Sequence, residues 1–476
     1  MASDDSSVPK AEAPNEDSGA PPAVASEPPT PQKLEKKAAR SSMWTAAGFG
    51  LAQVLRLGSN VVLSRVLPPT AFGLMAMVNV VMTFLQQFSD MGIRPSIVRS
   101  SRGKDPDFLN TAWTVQVLRG SSLWGIAILA AWPLSLFYKQ PILVYLLPIV
   151  GFTALCHGLM STSMATLNRE LSMGRLTILE LSTQTLGIVV MINWALNLPS
   201  VWALAVGPVI GAWTAVTLSH TMLPGIRNRL RWEPEARKEL FGFGRWLFLS
   251  TGLAFLMAQG DRLILSATVP VGVLGVYSAA VQISAVATGL LGQVSMKVLM
   301  PLYSRLNEQG SQELRRGVFR ARLVMMAALF PVPALLVPFG DIMVRILLGK
   351  EFHDAGWMLQ LLAIGAVVDA LIVSIWPVIL ALGDSFRYMV QVIGRTVIVT
   401  AAMVIGLYLG DLKGLILGLA AGRLAGYPIL IWAVRPTRTW FPLLDLAGLV
   451  YAAVLVWIGQ QLLGVVEPFL LPFVAK

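Results

Sequence analysis

Residues Ser64–Val78 read SRVLPPTAFGLMAMV: two adjacent prolines between two long apolar runs, with a glycine four residues beyond Pro69. Proline lacks an N–H donor and collides with the preceding turn, so this pair cannot lie inside a helix. The stretch is a tight break between two helices. Their lengths decide what they are. The apolar segments around the break cover 44–67 and 71–93. Each is long enough to cross a hydrocarbon core of roughly 30 Å.

Composition extends that reading to the whole chain. Of 476 residues, 55% are hydrophobic and only 13% charged, against roughly 25% charged in a soluble protein. Further spans are expected at 111–136, 142–165, 176–196, 201–223, 242–267, 272–298, 323–340, 355–382, 389–409, 414–434 and 443–463, thirteen in all. Backbone polar groups in lipid must be satisfied within the segment, so these spans are helices. The expected fold is an all-α polytopic membrane protein. The polar N-terminus shows no cleavable signal peptide.

Charge gives the orientation. Residues 1–43, rich in Pro, Ala, Ser and Glu, are expected to form a disordered tail, closed by Lys33, Lys36, Lys37 and Arg40. Basic residues then collect in alternate loops: Arg94, Arg99, Arg102 and Lys104; Arg169 and Arg175; Arg227, Arg229, Arg231, Arg237 and Lys238; Arg305, Arg315, Arg316, Arg320 and Arg322; then Arg387, Arg435 and Arg438. The opposite loops carry little beyond Lys139, Arg345, Lys350 and Lys413. The positive-inside rule puts the N-terminus and the basic loops in the cytoplasm and the Pro68–Pro69 turn outside. That describes a multi-pass plasma (inner) membrane protein. The same distribution explains the net charge of +11 without nucleic acid. Cys156 is the single cysteine, and His157, His220 and His353 have no ligand spacing, so neither metal nor cofactor is expected.

The break recurs. A shift of 202 positions aligns Trp44 with Trp246, Gly50 with Gly252, Leu51 with Leu253, Ala52 with Ala254, and Gly58 with Gly260. Leu63, Ser64, Pro68 and Gly73 then meet Leu265, Ser266, Pro270 and Gly275. This is the pattern of an internal duplication. Both copies start from the same side, so the repeat is parallel, with its axis along the membrane normal and a binding site between the halves. The expected organisation is the tail 1–43, spans one to six in 44–223, and a basic inter-lobe loop 224–241. Spans seven to twelve follow in 242–434, then a C-terminal helix and tail in 435–476.

Charges inside spans are costly, roughly 2.5–3.5 kcal/mol each at the bilayer centre. Arg56, Arg119, Arg262 and Arg423 are the candidates for a basic, substrate-binding lining. Asp369, Glu180 and Asp261 are the anionic groups available for ion coupling, although Asp369 would also serve to neutralise an arginine. Arg262 falls at the repeat position of Asn60, one turn after Arg56 on the same face. Arg65 and Arg395 lie near span ends and are expected to snorkel.

The run Leu63–Ser100, LSRVLPPTAFGLMAMVNVVMTFLQQFSDMGIRPSIVRS, resembles the N-terminal signature of the polysaccharide transport family. These are Wzx-type flippases of the multidrug/oligosaccharidyl-lipid/polysaccharide (MOP) superfamily. The resemblance implies two pseudo-symmetric six-helix bundles in a V, about one additional C-terminal helix, and alternating access. It implies a polyprenyl-diphosphate-linked oligosaccharide as cargo, carried from the inner to the outer leaflet for exopolysaccharide or lipopolysaccharide synthesis. Membrane lipid, a polysaccharide polymerase and chain-length machinery are the implied partners. Arginines suit such a cargo because guanidinium is planar, permanently charged and matched to phosphate oxygens. A multidrug or cation antiporter would favour an acidic cavity. A membrane polymerase would be an enzyme with sizeable external loops, and here those loops are short.

Overall fold

The computed structural model describes residues 31–89, 92–170 and 172–474. All regular secondary structure among them is helical. The first half comprises α1 (Pro31–Val66), α2 (Pro69–Phe88), α3 (Ile93–Arg99), α4 (Pro106–Phe137), α5 (Leu143–Leu159), α6 (Ser163–Arg169), α7 (Met173–Asn197) and α8 (Val201–Thr221). The second half begins with α9 (Pro234–Thr268) and α10 (Val271–Val294). A π-helical turn, Ser295–Leu299, joins α10 to α11 (Met300–Glu308). Then come α12 (Ser311–Leu329), α13 (Pro331–Leu347), α14 (Ala355–Ile375), α15 (Pro377–Ala381), α16 (Ser385–Ala425), α17 (Tyr427–Val434) and α18 (Pro442–Val474).

The double proline does what its chemistry allows. Only Leu67 and Pro68 separate α1 from α2. Pro68 caps α2 in an extended conformation (φ −70°, ψ 155°) and Pro69 opens the helix, where an N–H would have had no partner anyway. The glycine four residues on has a separate cause. A Cβ on Gly73 would stand 1.9 Å from the carbonyl oxygen of Val271, and one on Gly275 1.8 Å from that of Pro69. Both pairs obey the 202-residue shift, so α2 and α10 meet backbone to backbone in a reciprocal contact. Farther along, Phe88 of α2 lies over Gly252 of α9, and Phe49 of α1 over Gly289 of α10. That second exchange is reciprocal to within one residue.

Among the described residues, ten helices are long and apolar enough to span a membrane, or eleven with the α5–α6 pair, which bends by 59°. The protein is a multi-pass membrane protein. One of those ten, Ser385–Thr437, holds two crossings. Inside α16, Gly410 and Asp411 leave helical geometry, Asp411 with φ 52°. The arms fold back with Gly406 and Gly414 so close that a Cβ on either would lie 2.1 or 2.0 Å from the other's carbonyl oxygen. With α9 and this second arm, every expected span has a helix.

Three boundaries differ from expectation. Residues 31–43 extend α1 rather than belonging to the tail, and 1–30 lie outside the described residues. Residues 234–241 are the first turns of α9 rather than loop. Residues 442–474 form one continuous helix with no separate tail before Val474.

The residues joining α8 to α9 are a docked strap. The N–H groups of Arg229 and Arg231 donate to Asn110 Oδ1 and Thr114 Oγ1, both at 2.9 Å, and that of Glu233 to Thr111 Oγ1 at 3.1 Å. Asn228 bonds Ser161 and Thr162 at the α5–α6 bend. Arg102 pairs with both Asp105 and Glu233. The Arg102 guanidinium, followed by the N–H of Asp107, holds the Asp105 carboxyl below the usual carboxylate range.

Candidate functional site

In the second half, four helices bring their few charged groups into one neighbourhood. Asp261 and Arg262 sit on α9. The buried Tyr277 of α10 donates its hydroxyl to Asp261 at 2.5 Å. Arg262 Nη1 donates to Gln259 Oε1 at 2.8 Å. From α14, Asp369 pairs with Arg423 of α16 at 2.9 Å, each side chain about one-fifth exposed (20% and 22%). Arg262 and Arg423 are both electrostatic neighbours of the Tyr277 hydroxyl. Arg395, on the first arm of α16, lies within electrostatic reach of Asp369 and Arg423. Three arginines and two aspartates leave a charge of +1 among apolar helices.

Arg395 corrects a sequence expectation. Rather than snorkelling, it is 7% exposed. The α16 hairpin is the reason. Gly406 faces Gly414, Ala402 faces Gly418, and Val399 faces Gly422, so Arg395 falls opposite Gly426, whose Cβ would lie 3.1 Å from Arg395 Cγ. The glycine-bounded GDLKG at 410–414 marks the fold-back. Placing the turn there would have paired Arg395 with the Arg423 region.

Arg56 and Arg119 do not touch this cluster. Arg56 shares a stripe of α1 with Gln53, Asn60 and Ser64 at helical spacing, while the exposed Leu51, Val54 and Val62 mark a different, apolar face. Its guanidinium is exposed and makes no hydrogen bond or ion pair among the described residues. One turn on, Asn60 donates its amide to Gln282 of α10, joining the halves. Arg119 is engaged at the end of α2, donating from Nε to Ser89 Oγ and from Nη2 to the Gln86 carbonyl, both at 2.9 Å. Its charge there complements the negative end of the helix dipole. Glu180 is exposed on α7, one turn from Gln184, whose amide donates to the Ala52 carbonyl of α1 at 2.8 Å.

The halves are sealed at the proline-turn face. Arg65 donates to the Ile346 carbonyl at 2.9 Å, the Gly349 N–H reaches Ser64 Oγ at 3.3 Å, and Phe72 meets Phe352 edge-on at 5.1 Å. Between Asn60, Gln282, Ser64 and Leu347 remains a cavity of about 40 Å³. A void that size holds a water or two.

A second buried network escaped the sequence reading, which placed Arg322 in a basic loop. Arg322 is wholly buried. It pairs with Asp445 of α18 and donates to Ser374 Oγ at 3.0 Å. Asp445 also accepts from Tyr427 Oη at 2.5 Å and Trp440 Nε1 at 3.0 Å. This network ties α18 to α12, α14 and α17. Among the described residues no cluster of His, Cys, Asp and Glu could hold a metal.

Residues 62–356 match the model of the family described as polysaccharide biosynthesis protein. Over 396 residues the chain is 23% identical to the lipopolysaccharide biosynthesis protein WzxC of Escherichia coli (strain K12), covering 81% of this chain and 78% of that one. The solved structure of lipid II flippase MurJ in an inward closed conformation superposes with a TM-score of 0.68 at 13% identity, covering 90% of this chain and 99% of the other. An inward-facing multidrug resistance MATE family transporter of the MOP superfamily gives 0.61 at 14% identity, covering 81% and 94%. At such identities the structural likeness establishes the fold, that of MOP-superfamily flippases and transporters.

Proposed function

The chain belongs to the polysaccharide biosynthesis protein family, and from that premise we propose that it is a flippase carrying polyprenyl-diphosphate-linked oligosaccharide from the cytoplasmic to the outer leaflet of the inner membrane. The observation that carries the reading is the +1 cluster of Arg262, Arg395, Arg423, Asp261 and Asp369 among apolar helices. A permanent positive charge there is unfavourable unless an anion visits. A diphosphate supplies that anion, while the prenyl chain remains in lipid.

In this reading residues 44–223 and 242–434 are two six-helix bundles, with the N-terminus and the basic loops cytoplasmic. The reciprocal Gly73–Val271 and Gly275–Pro69 contacts support a pseudo-twofold between them. Closure at the proline-turn face corresponds to a cavity that loads from the cytoplasm. Rocking the bundles about α2 and α10 would break the Asn60–Gln282 and Ser64–Gly349 contacts and release the cargo outward. The chain performs no bond chemistry in this cycle. A polymerase and its chain-length partner would consume the delivered units.

MATE-like export of cations is the second reading, and the shared fold favours it. The sign of the cluster disfavours it, because a cation would meet a net positive charge. Deleting the gene and analysing lipid-linked intermediates separates the two. Accumulation of a complete polyprenyl-diphosphate oligosaccharide in the inner leaflet is the expected result. Unchanged lipid intermediates with altered tolerance to cationic drugs would overturn the flippase reading.

A further inference from the structure

Arg395 is a buried, permanently charged side chain whose Nε has no hydrogen-bond partner. Its other N–H groups likewise make no bond among the described residues. Asp369, the carboxylate whose field reaches Arg395, is already bonded to Arg423 Nη1 at 2.9 Å. Asp261 is occupied by Tyr277 and stands beside Arg262. One carboxylate thus stands in the field of two guanidinium groups but bonds only that of Arg423, and one fork of donors is left over. The packing of Arg395 does not require that charge: its stem fills the hairpin against Gly426, which an unbranched apolar side chain of similar length would also do.

We propose that Arg395 and Arg423 form a two-armed site for a phosphoryl anion, with Asp369 holding the place of the ligand while the site is empty. The phosphoryl oxygens would take the free fork of Arg395 and displace one Asp369 oxygen from Arg423. The proposal rests on the flippase reading for the source of the anion, the cargo diphosphate. Its physical content is separate: Arg395 is retained at the expense of stability, because an unpaired buried charge opposes folding.

Thermal unfolding of the purified full-length protein in neutral-lipid nanodiscs tests it, with inorganic pyrophosphate and a polyprenyl diphosphate titrated separately. Ligands that bind the folded state raise Tm with concentration. Wild type is expected to be stabilised by both. Arg395→Met is expected to unfold at higher temperature than wild type without ligand, yet to need about 10- to 100-fold more of either anion for the same shift. Asp369→Asn removes the placeholder and is expected to bind the anions more tightly. An Arg395→Met protein that melts earlier with unchanged anion dependence would make Arg395 a packing residue and overturn the proposal. Weaker anion binding by Asp369→Asn would also overturn it. If the fork fails in this way while polyprenyl diphosphate still stabilises wild type, the flippase reading stands. Wild type stabilised by pyrophosphate alone would support the fork and remove the cargo reading. Stabilisation by neither anion would overturn both.

Discussion

Gly73 and Gly275 are related by the 202-residue shift, and each lies against the carbonyl of the residue four places before the other, Val271 and Pro69. A methyl group at either position has nowhere to go unless α2 and α10 separate. Overpacking of this kind costs about 1–3 kcal/mol. Gly73→Ala and Gly275→Ala are each expected to lower Tm, and the double variant to lose less than the sum, because the first substitution already parts the helices. Additive losses in a thermal-melt cycle would mean that the two contacts are independent.

Arg322 and Asp445 make a second long-range prediction. Removing one partner of a buried ion pair costs about 3–5 kcal/mol, because the other charge is left stranded. Asp445→Asn is therefore expected to loosen α18 and lower Tm sharply. Arg322→Met with Asp445→Leu removes both charges and should regain most of the loss. Equal destabilisation by the single and double variants would place the energy in Tyr427 and Trp440 instead.

These two relationships divide what could be read from the sequence. Prolines and glycines act locally, so the Pro68–Pro69 turn, its repeat at Pro270 and the spans around them were legible from residue type alone. The repeat paired Gly73 with Gly275, but that α2 and α10 meet there backbone to backbone is visible only in the fold. Arg322 and Arg395 were misplaced for one shared reason: each lies at or near the end of an expected span, 323–340 or 389–409, where linear distance suggests solvent. Their burial depends on α18 packing over α12 and on the α16 hairpin folding at Gly410, both tertiary events. Arg262, Arg423, Asp261 and Asp369 were identified by cost alone, and their convergence was not visible in the chain. The strap was read as a basic loop because its anchors, Asn110, Thr111 and Thr114, sit on a distant helix and carry no charge.

Orientation has a direct test. Thr70 lies in the turn region and Ser311 opens α12 at the opposite face, and both are exposed. In a Cys156→Ala background, Thr70→Cys should react with an impermeant thiol reagent from outside intact cells. Ser311→Cys should react only after the membrane is opened. Labelling of both from one side would refute the alternation of loops.

The strap should be acid-sensitive only at low pH. The Asp105 carboxyl is held below its ordinary range by Arg102. A depressed folded-state value means that the contribution is complete at neutral pH and is lost as pH falls through that lowered value. Hydrogen exchange at the Arg229, Arg231 and Glu233 amides should therefore stay protected through mildly acidic pH and open only below the usual carboxylate range. Asp105→Asn should reduce protection at neutral pH and flatten the acid response. Loss of protection near pH 6 in the wild type would point to a different group.

Arg56 and Arg119 separate function from support. Arg119 bonds Ser89 and the Gln86 carbonyl at the end of α2. Its loss removes two charge-assisted hydrogen bonds, each worth about 1.5–3 kcal/mol, so Arg119→Ala should lower Tm and abundance together. Arg56 has no such partner among the described residues. Arg56→Ala should leave stability within about 0.5 kcal/mol of wild type, as for a surface change away from any network. If Arg56 meets the diphosphate on the α1 stripe, the same variant should nevertheless accumulate lipid-linked oligosaccharide in the inner leaflet, with binding weakened by about 10- to 150-fold. Arg56→Lys keeps the charge and loses the planar fork, so it should fall between the two. Full export by a normally abundant Arg56→Ala protein would remove α1 from the site and leave the binding charge to α9 and α16.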